Sequence, residues 1–247
     1  MTTTLPEFSA SRINTYKTCP RLYKFKYIDK QEEPKHILTV LGSALHKSIE
    51  EFYANATPPK LTFNKEFYNG VSYAESSVGT VGKDSPTQVA LLGQAILDSL
   101  DWSLKPTELE MAFSLPFPNK ESPVCTLRGV IDMIISGGVI IDHKSTKVKP
   151  SLKKLSENYQ FTLYAWAYRE LYGVLPDKVY WHHLRTHEFL EADVLSDLDK
   201  RIEIIADDIR QIIADTEYTK IPKSGFCEKV CHFYSVCWGE ESVQDDS

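Results

Sequence analysis

The sequence feature that most constrains the fold is a group of charged residues among valines and isoleucines. Asp132 and Asp142 lie on either side of Ser136-Gly137-Gly138, and Lys144 follows two positions later. β-Branched runs flanking a glycine turn predict two antiparallel strands. Burying charge in such surroundings is costly unless a metal or an opposite charge compensates for it. The segment therefore predicts an ionic site within a hairpin.

The length of the hairpin loop decides which side chains face each other. A two-residue Gly-Gly turn would set Asp132 opposite His143, whereas a three-residue loop with glycine in the left-handed region sets it opposite Asp142. In the second register the two carboxylates are cross-strand neighbours, about 5 Å apart at Cβ. Such hard oxygen ligands suit Mg²⁺ or Mn²⁺. The alternative is a solvated hairpin with an Asp-Lys pair in a structural network.

Several motifs resemble one family in order and type. Asp132 followed by Asp142-His143-Lys144 is similar to the PD-(D/E)xK nuclease signature, and the surroundings resemble its RecB-like branch, which includes iron-sulfur exonucleases of CRISPR adaptation and the AddB nuclease domain. The further matching segments are Ser9 to Tyr23, Gly42-x3-His46, Gln160-x3-Tyr164 and Cys227-x3-Cys231-x5-Cys237. The chain departs from the family pattern in two places. The family more often separates its first two C-terminal cysteines by two residues, and often has Glu at the position of Asp142.

The resemblance implies the roles of the site residues. Asp132 and Asp142 would hold the metal together with His46 and a backbone carbonyl, most simply that of His143. Lys144 would orient or help to deprotonate the attacking water and stabilise negative charge.

Three further positions depend on the same resemblance. Gln160 and Tyr164, one helical turn apart, would orient the DNA backbone or the lysine, although spacing alone favours a core tyrosine with a capping glutamine. A helical histidine such as His46 is by default a packed or surface residue. Either Glu108 or Glu110, on the same strand face, could add an acidic ligand.

The cysteines indicate separate chemistry. Cys227, Cys231 and Cys237 supply three thiolates, and Cys19 is the candidate for the fourth. Four thiolates suit a [4Fe-4S] cluster, which the resemblance favours, or structural Zn²⁺, for which His232 offers a Cys3His alternative. Cys125, on a predicted strand, is expected to be an ordinary buried thiol.

Composition bounds the domain count and the location. At 247 residues and 42% hydrophobic content, the chain can form one substantial core. We predict one RecB-like nuclease domain at residues 1–238 and an acidic, disordered tail at 239–247. No apolar run approaches the length of a membrane span and no signal peptide is evident, so we expect a cytoplasmic protein with no membrane partner.

Charge distribution bears on DNA as a partner. A net charge of −6 argues against a generic DNA coat, because nonspecific affinity comes from neutralised phosphates. Four of the acids, however, lie in the predicted tail, and basic residues concentrate at 12–30 and 144–154, beside the proposed site.

The order of elements predicts an α/β fold with a restriction-endonuclease-like mixed β-sheet core flanked by helices. In the form that the resemblance implies, a cysteine-ligated cluster joins the N-terminal helices to the C-terminal segment. Helices are expected from Ser9 with a break at Cys19-Pro20 and a continuation to Ile28, and at 41–54, 85–100, 156–172 and 196–215. Strands are expected at 108–115, 124–135, 139–143 and 178–184, and polar loops at 57–62 and 76–85.

These features predict a metal-dependent DNA nuclease, an exonuclease acting on single-stranded ends in recombination, repair or CRISPR spacer processing, with possible protein partners from recombination or CRISPR adaptation. Two other functions stay open. One is a structure-specific DNA endonuclease, and the other is a catalytically idle DNA-binding or scaffold subunit. The joint presence of His46, Asp132, Asp142 and Lys144 argues against the idle subunit.

Overall fold

The N-terminal segment folds into short helices that separate at Cys19. In the computed structural model, which describes residues 5–77, 80–81 and 84–239, the first elements are β1 (Glu7–Phe8), α1 (Ala10–Thr18), α2 (Pro20–Tyr23) and a π-helical turn (Lys24–Ile28). The Ser9 hydroxyl accepts a hydrogen bond from the Arg12 N–H, which confirms the predicted N-cap. Cys19 is extended, with φ −164°, and Pro20 begins α2, so the predicted break is confirmed. The tail predicted at 239–247 lies, apart from Gly239, outside the described residues.

A layer of three helices follows. Its elements are β2 (Lys35–His36), α3 (Ile37–Asn55), α4 (Pro59–Ser77), β3 (Thr80–Val81) and α5 (Pro86–Ser99), with β2 and β3 paired in parallel. The polar loop predicted at 57–62 is wrong from Pro59 onward, because α4 begins there. Phe63, Phe67 and Val71 recur every four residues and are buried with residues of α3 and α5, and proline is tolerated in a first helical turn. The second predicted loop, at 76–85, lies partly outside the described residues, and its first two residues end α4.

The central sheet is mixed, as predicted. Its long strands are β4 (Pro106–Phe117), β5 (Cys125–Ile135), β6 (Val139–Lys144), β7 (Lys178–His183) and β8 (Glu188–Glu191). The order is β4-β5-β6-β7-β8, with β6 parallel to β7 and the other neighbouring strands antiparallel, while β1 pairs in parallel with the start of β5. Strand β8 was not predicted, because four residues are too few to show a period.

The remaining helices lie between and after the strands. They are α6 (Leu152–Ser156), α7 (Tyr159–Tyr172), α8 (Leu198–Ala214), α9 (Gly225–Lys229) and α10 (Tyr234–Trp238). The single helix predicted at 156–172 is therefore wrong at its start. The Asn158 side chain accepts a hydrogen bond from the Gln160 N–H and begins α7 as a separate helix. The predicted stop at Gly173, in the left-handed region with φ 73°, is confirmed.

The sheet separates two hydrophobic cores. One contains residues of α7 and α8, including Trp166 and Ile205, and the other contains residues of α3, α4 and α5, including Leu45 and Phe63. Helix α3 approaches the end of β6 closely, because a Cβ at Gly42 would lie only 3.3 Å from Ser145 Oγ. This approach brings the middle of α3 to the end of the strand that carries Asp142.

None of the helices in the described part of the chain combines the length and apolar character that crossing a lipid bilayer requires.

Candidate active site

The hairpin adopts the register in which the two aspartates face each other. Ile135 pairs with Val139 and Met133 with Ile141, which leaves a three-residue loop. Gly137 and Gly138 have φ values of 85° and 77°, a region that favours glycine. Continuation of this register sets Asp132 opposite Asp142. The three-residue alternative is therefore the correct one.

Asp132 is held at the junction of β5, β6 and α3. Its Oδ2 accepts a hydrogen bond of 2.7 Å from the His143 backbone N–H. The same oxygen lies 3.5 Å from His46 Nδ1. His46 Nε2 in turn lies 2.8 Å from the His143 carbonyl oxygen. One residue of β6, His143, therefore fixes both groups through its backbone.

The contacts of His46 define its tautomer. A carbonyl oxygen can only accept, so Nε2 must carry the proton that it shares with His143. Burial, the largest effect, lowers the pKa of His46 and favours the neutral ring. In the neutral ring Nδ1 then has a lone pair directed at the Asp132 carboxylate. Two acceptors that converge in this way are a favourable arrangement for a cation.

Glu110, rather than Glu108, belongs to this group. Leu109 pairs with Met133 and Met111 with Ile131, which sets Glu110 opposite Asp132. Ligand atoms of His46, Glu110 and Asp132 all lie within 4.8 Å of one another. Glu108 is exposed instead. The sequence alone did not decide between these two glutamates, because residues two positions apart on a strand lie on the same face.

The backbone of β4 is irregular at Glu110, whose φ of 46° lies in the left-handed region that non-glycine residues rarely adopt. Burial raises the pKa of Glu110 to about 7, and the Asp132 carboxylate contributes to the shift. Close, poorly solvated carboxylates are costly when ionised, and a bound cation would relieve that cost.

Asp142 forms the second half of the site. It is completely buried. Its Oδ2 forms an ion pair with Lys144 Nζ at 2.6 Å, and its Oδ1 accepts a hydrogen bond of 3.1 Å from Gln160 Nε2. Burial raises the pKa of Asp142 to about 6, although Lys144 opposes the shift. Asp142 is not one of the three residues whose ligand atoms converge, so its role as a metal ligand stays a prediction.

Gln160 and Tyr164 lie on one face of α7, at a spacing of four. Gln160 Nε2 donates to the Tyr164 hydroxyl at 2.6 Å as well as to Asp142. In this arrangement Gln160 contacts the carboxylate that holds Lys144, rather than the lysine itself. Burial also raises the pKa of Tyr164, so the phenol is neutral. Whether these residues orient DNA stays a prediction.

One supporting residue was not predicted. His182, on β7, pairs with His143 in register, and their Nδ1 atoms lie 2.9 Å apart, so one ring donates to the other. The His182 ring stacks on Phe189 of β8 at 4.1 Å. No motif marks His182 in the sequence, because its role depends on β7 lying beside β6.

The residues present fit a divalent cation. A neutral imidazole nitrogen and carboxylate oxygens form a donor set that Mg²⁺ and Mn²⁺ accept. Among the described residues, Asp142 Oδ2 is a buried atom with no hydrogen-bond partner beyond its ion pair. The group borders an open groove of about 550 Å³, whose lining includes His46, Glu110 and Lys144. A phosphate could therefore reach it from solvent.

The four predicted cysteine ligands lie together, and none of them lines the groove. Cys19, Cys227, Cys231 and Cys237 all line one small cavity between α2 and the C-terminal helices. Cys125 is buried elsewhere, in the core beneath the sheet. His232, the alternative ligand, is not part of the cavity lining.

Comparison with known proteins decides the family. A family model described as the PD-(D/E)XK nuclease superfamily matches residues 7–238. The chain belongs to this superfamily. Asp132, Asp142 and Lys144, the residues that resemble the superfamily signature, lie together on β5 and β6 in the site described above. No curated protein sequence matches the chain significantly.

One solved structure agrees with the fold. A protein from Eubacterium rectale, described as a candidate exonuclease, aligns with a TM-score of 0.58 at 11% identity, covering 90% of this chain and 92% of that one. A structure of the protein SSO0001 covers 84% of this chain and 87% of its own, at 14% identity, but its TM-score of 0.36 is too low to support an argument. At such identities the first likeness concerns the fold alone.

Proposed function

We propose that this protein is a divalent-metal-dependent DNA nuclease that hydrolyses phosphodiester bonds as an exonuclease at single-stranded ends. The observation that carries the proposal is the convergence of His46, Glu110 and Asp132 beside the Asp142-Lys144 ion pair. Membership in the nuclease superfamily supports the reaction class. The exonucleolytic mode rests on the resemblance of the sequence motifs to the RecB-like branch, and the fold shared with a protein described as a candidate exonuclease agrees with it.

The side chains divide the chemical tasks. His46, Glu110 and Asp132 would hold the ion, with Asp142 and the His143 carbonyl as the further predicted ligands. When bound, Mg²⁺ or Mn²⁺ neutralises phosphate charge and lowers the pKa of water. Lys144, held by Asp142, sets a positive charge at the groove, where the transition state gains negative charge.

Digestion of labelled DNA tests the proposal. With Mn²⁺, linear single strands should be degraded to mononucleotides, whereas circular single strands should persist. Asp132→Ala should abolish cleavage and keep DNA binding, while Asp177→Ala, an exposed aspartate outside the site, should behave as wild type. Lys144→Ala should keep Mn²⁺ binding but lose roughly 100- to 1,000-fold in rate.

Each contrary result has a distinct meaning. Turnover in excess chelator would refute the metal mechanism. Cleavage of circular strands would favour the endonuclease. Binding of DNA without cleavage in the presence of any divalent metal would favour the scaffold subunit.

We also propose that Cys19, Cys227, Cys231 and Cys237 bind one cofactor, a [4Fe-4S] cluster, with structural Zn²⁺ as the alternative. All four line one cavity. Burial raises the pKa of the Cys231 and Cys237 thiols, and the neighbouring cysteines add to the shift. Thiolates in this environment are costly without a cation.

Iron analysis of anaerobically purified protein tests this cofactor. A [4Fe-4S] cluster would give brown protein with about four iron atoms per chain. Colourless protein with stoichiometric zinc would show that the four cysteines bind zinc and not an iron-sulfur cluster. Participation in recombination, repair or CRISPR spacer processing, with the corresponding protein partners, stays a prediction from the resemblance.

A further inference from the structure

A second cavity is lined by Gln160, whose amide contacts Asp142 of the candidate site. It holds about 360 Å³ and lies between the start of α1, strand β5 and the face of α7 that carries Gln160 and Tyr164. The first groove, by contrast, includes Lys144 and Glu110. Neither the signature motif nor the metal group accounts for this second cavity.

One carboxylate lies between the two cavities. Asp142 Oδ2 contacts Lys144, which lines the groove, and Asp142 Oδ1 contacts Gln160, which lines the second cavity. Asp142 is completely buried. Its two carboxylate oxygens therefore connect one lining residue of the groove with one lining residue of the second cavity.

The cavities differ in charge. The groove contains the ionisable groups His46, Lys47, Glu50, Glu110 and Lys144. The second cavity has hydroxyl and amide groups, Ser9, Ser11, Asn14 and Gln160, beside apolar groups that include Leu163 and Val130. Its one charged lining residue, Arg128, is already paired with Glu7 at 2.9 Å.

This division matches the two ends of a nucleotide. The phosphate is anionic and suits the metal group and the lysine, whereas a nucleobase is neutral, with flat apolar faces and polar edges. Pockets for such ligands are largely apolar with a few polar groups, and begin at about 300 Å³. The second cavity has both properties.

We propose that the second cavity binds the nucleoside next to the scissile phosphate, and that it thereby sets the position of the phosphate at the metal group. The proposal rests on the nuclease function proposed above. The hydroxyl and amide groups of the second cavity can donate or accept hydrogen bonds, so the cavity would bind more than one kind of base.

Filling the cavity tests the proposal. Ser11, at the start of α1, is exposed and lines the cavity, so Ser11→Trp should block it while Ser11→Ala leaves it open. Val130→Trp, from the opposite wall, gives a second filled variant if the first fails to fold. Val130 is 40% exposed, which tolerates a larger side chain.

Binding is measured by calorimetry in Mn²⁺ with the full chain. Deoxyadenosine 5′- and 3′-monophosphates are compared with deoxyribose 5-phosphate, which lacks the base. Wild type and Ser11→Ala should bind at least one monophosphate about 10-fold more tightly than the sugar phosphate. Both tryptophan variants should lose that difference but keep their affinity for inorganic phosphate.

Cleavage gives the second readout. For wild type, an oligonucleotide with one abasic residue beside the scissile phosphate should have a higher KM than the intact oligonucleotide. For the filled variants, the two oligonucleotides should have the same KM. Equal affinity of wild type for nucleotide and sugar phosphate, or unchanged discrimination in both filled variants, would overturn the subsite and leave the nuclease proposal intact. Tighter binding of nucleotide than of sugar phosphate, without any hydrolysis of DNA, would refute the nuclease proposal and leave the proposed nucleoside subsite intact.

Discussion

Glu110 and Asp142 have raised pKa values mainly because burial opposes their charged forms. The same burial keeps the His46 ring neutral. At neutral pH the residues of the site therefore combine partly protonated carboxyl groups with a bare imidazole nitrogen. A cation that binds here replaces protons, which makes both stability and metal binding depend on pH.

For the metal-free protein, we predict that the contribution of Glu110 to stability falls as pH rises from about 4.5 to about 7. In this window Glu110 retains its proton when folded and loses it when unfolded, so the folded state binds more protons and the slope is negative. Thermal unfolding in chelator should show the melting temperature of wild type decreasing relative to that of Glu110→Gln across this pH window. Parallel curves for the two proteins would contradict the assignment.

A second prediction at this scale separates the two glutamates. Glu110→Ala should weaken Mn²⁺ binding and reduce cleavage, by at least about 10-fold, because it removes one of three converging ligands. Glu108→Ala, two residues earlier on β4 and exposed, is the matched control and should change neither quantity. Calorimetric titration of Mn²⁺ into each variant checks the binding. Equal effects of the two changes would remove Glu110 from the metal group.

At the scale of elements, α3 and the β5-β6 hairpin form the site, and the helices behind α3 support it. Phe63 and Phe67 of α4 are completely buried, and α3, which carries His46, packs in the same core. Helix α4 was missed in the sequence because its polar and charged residues outnumber its apolar ones at the start. Its packing is nevertheless what holds α3 against the sheet.

We predict that Phe67→Ala destabilises the protein by about 3 to 5 kcal/mol, through lost burial and the cavity it leaves. Tyr68→Ala, the next residue, is the control: Tyr68 is 48% exposed, so the change should stay within about 0.5 kcal/mol. Urea denaturation gives both values. A small effect at Phe67 would mean that α4 does not pack as the structure shows.

At the scale of the whole molecule, the N-terminal helices and the C-terminal segment of the described residues lie side by side. The Tyr16 hydroxyl donates a hydrogen bond of 2.6 Å to Asp215, and Tyr23 stacks on Tyr218 at 6.0 Å. Phe25 contacts Phe233 at 5.1 Å, beside the cysteine cavity. A cofactor held by both ends would add its binding free energy to folding.

We therefore predict that Cys19→Ala lowers the bound metal and the melting temperature together. Cys125→Ala should leave the metal content unchanged, because Cys125 lies in the hydrophobic core and does not line the cysteine cavity. Metal analysis and thermal unfolding of the same preparations check both statements. Full metal content in Cys19→Ala would show that the N-terminal end does not contribute a ligand.

Much of the candidate site could be predicted because local sequence specifies it. Strand alternation sets Asp142 and Lys144 on one face, and a glycine-containing loop allowed the register that sets Asp132 opposite Asp142. Turn and cap residues likewise fixed the start of α1 and the end of α7. These features depend on neighbours within a few positions.

Contacts between distant segments were decided only by the tertiary structure. Strand alternation sets Glu108 and Glu110 on the same face, and only the pairing of β4 with β5, which sets Glu108 opposite Ile134 and Glu110 opposite Asp132, distinguishes them. The role of His182 arises because β7 lies beside β6, and the contact between Gln160 and Asp142 arises because α7 packs across the sheet. The sequence determined which groups are available for catalysis. Packing of distant strands and helices determined which of them meet, because such contacts leave no local periodicity in the chain.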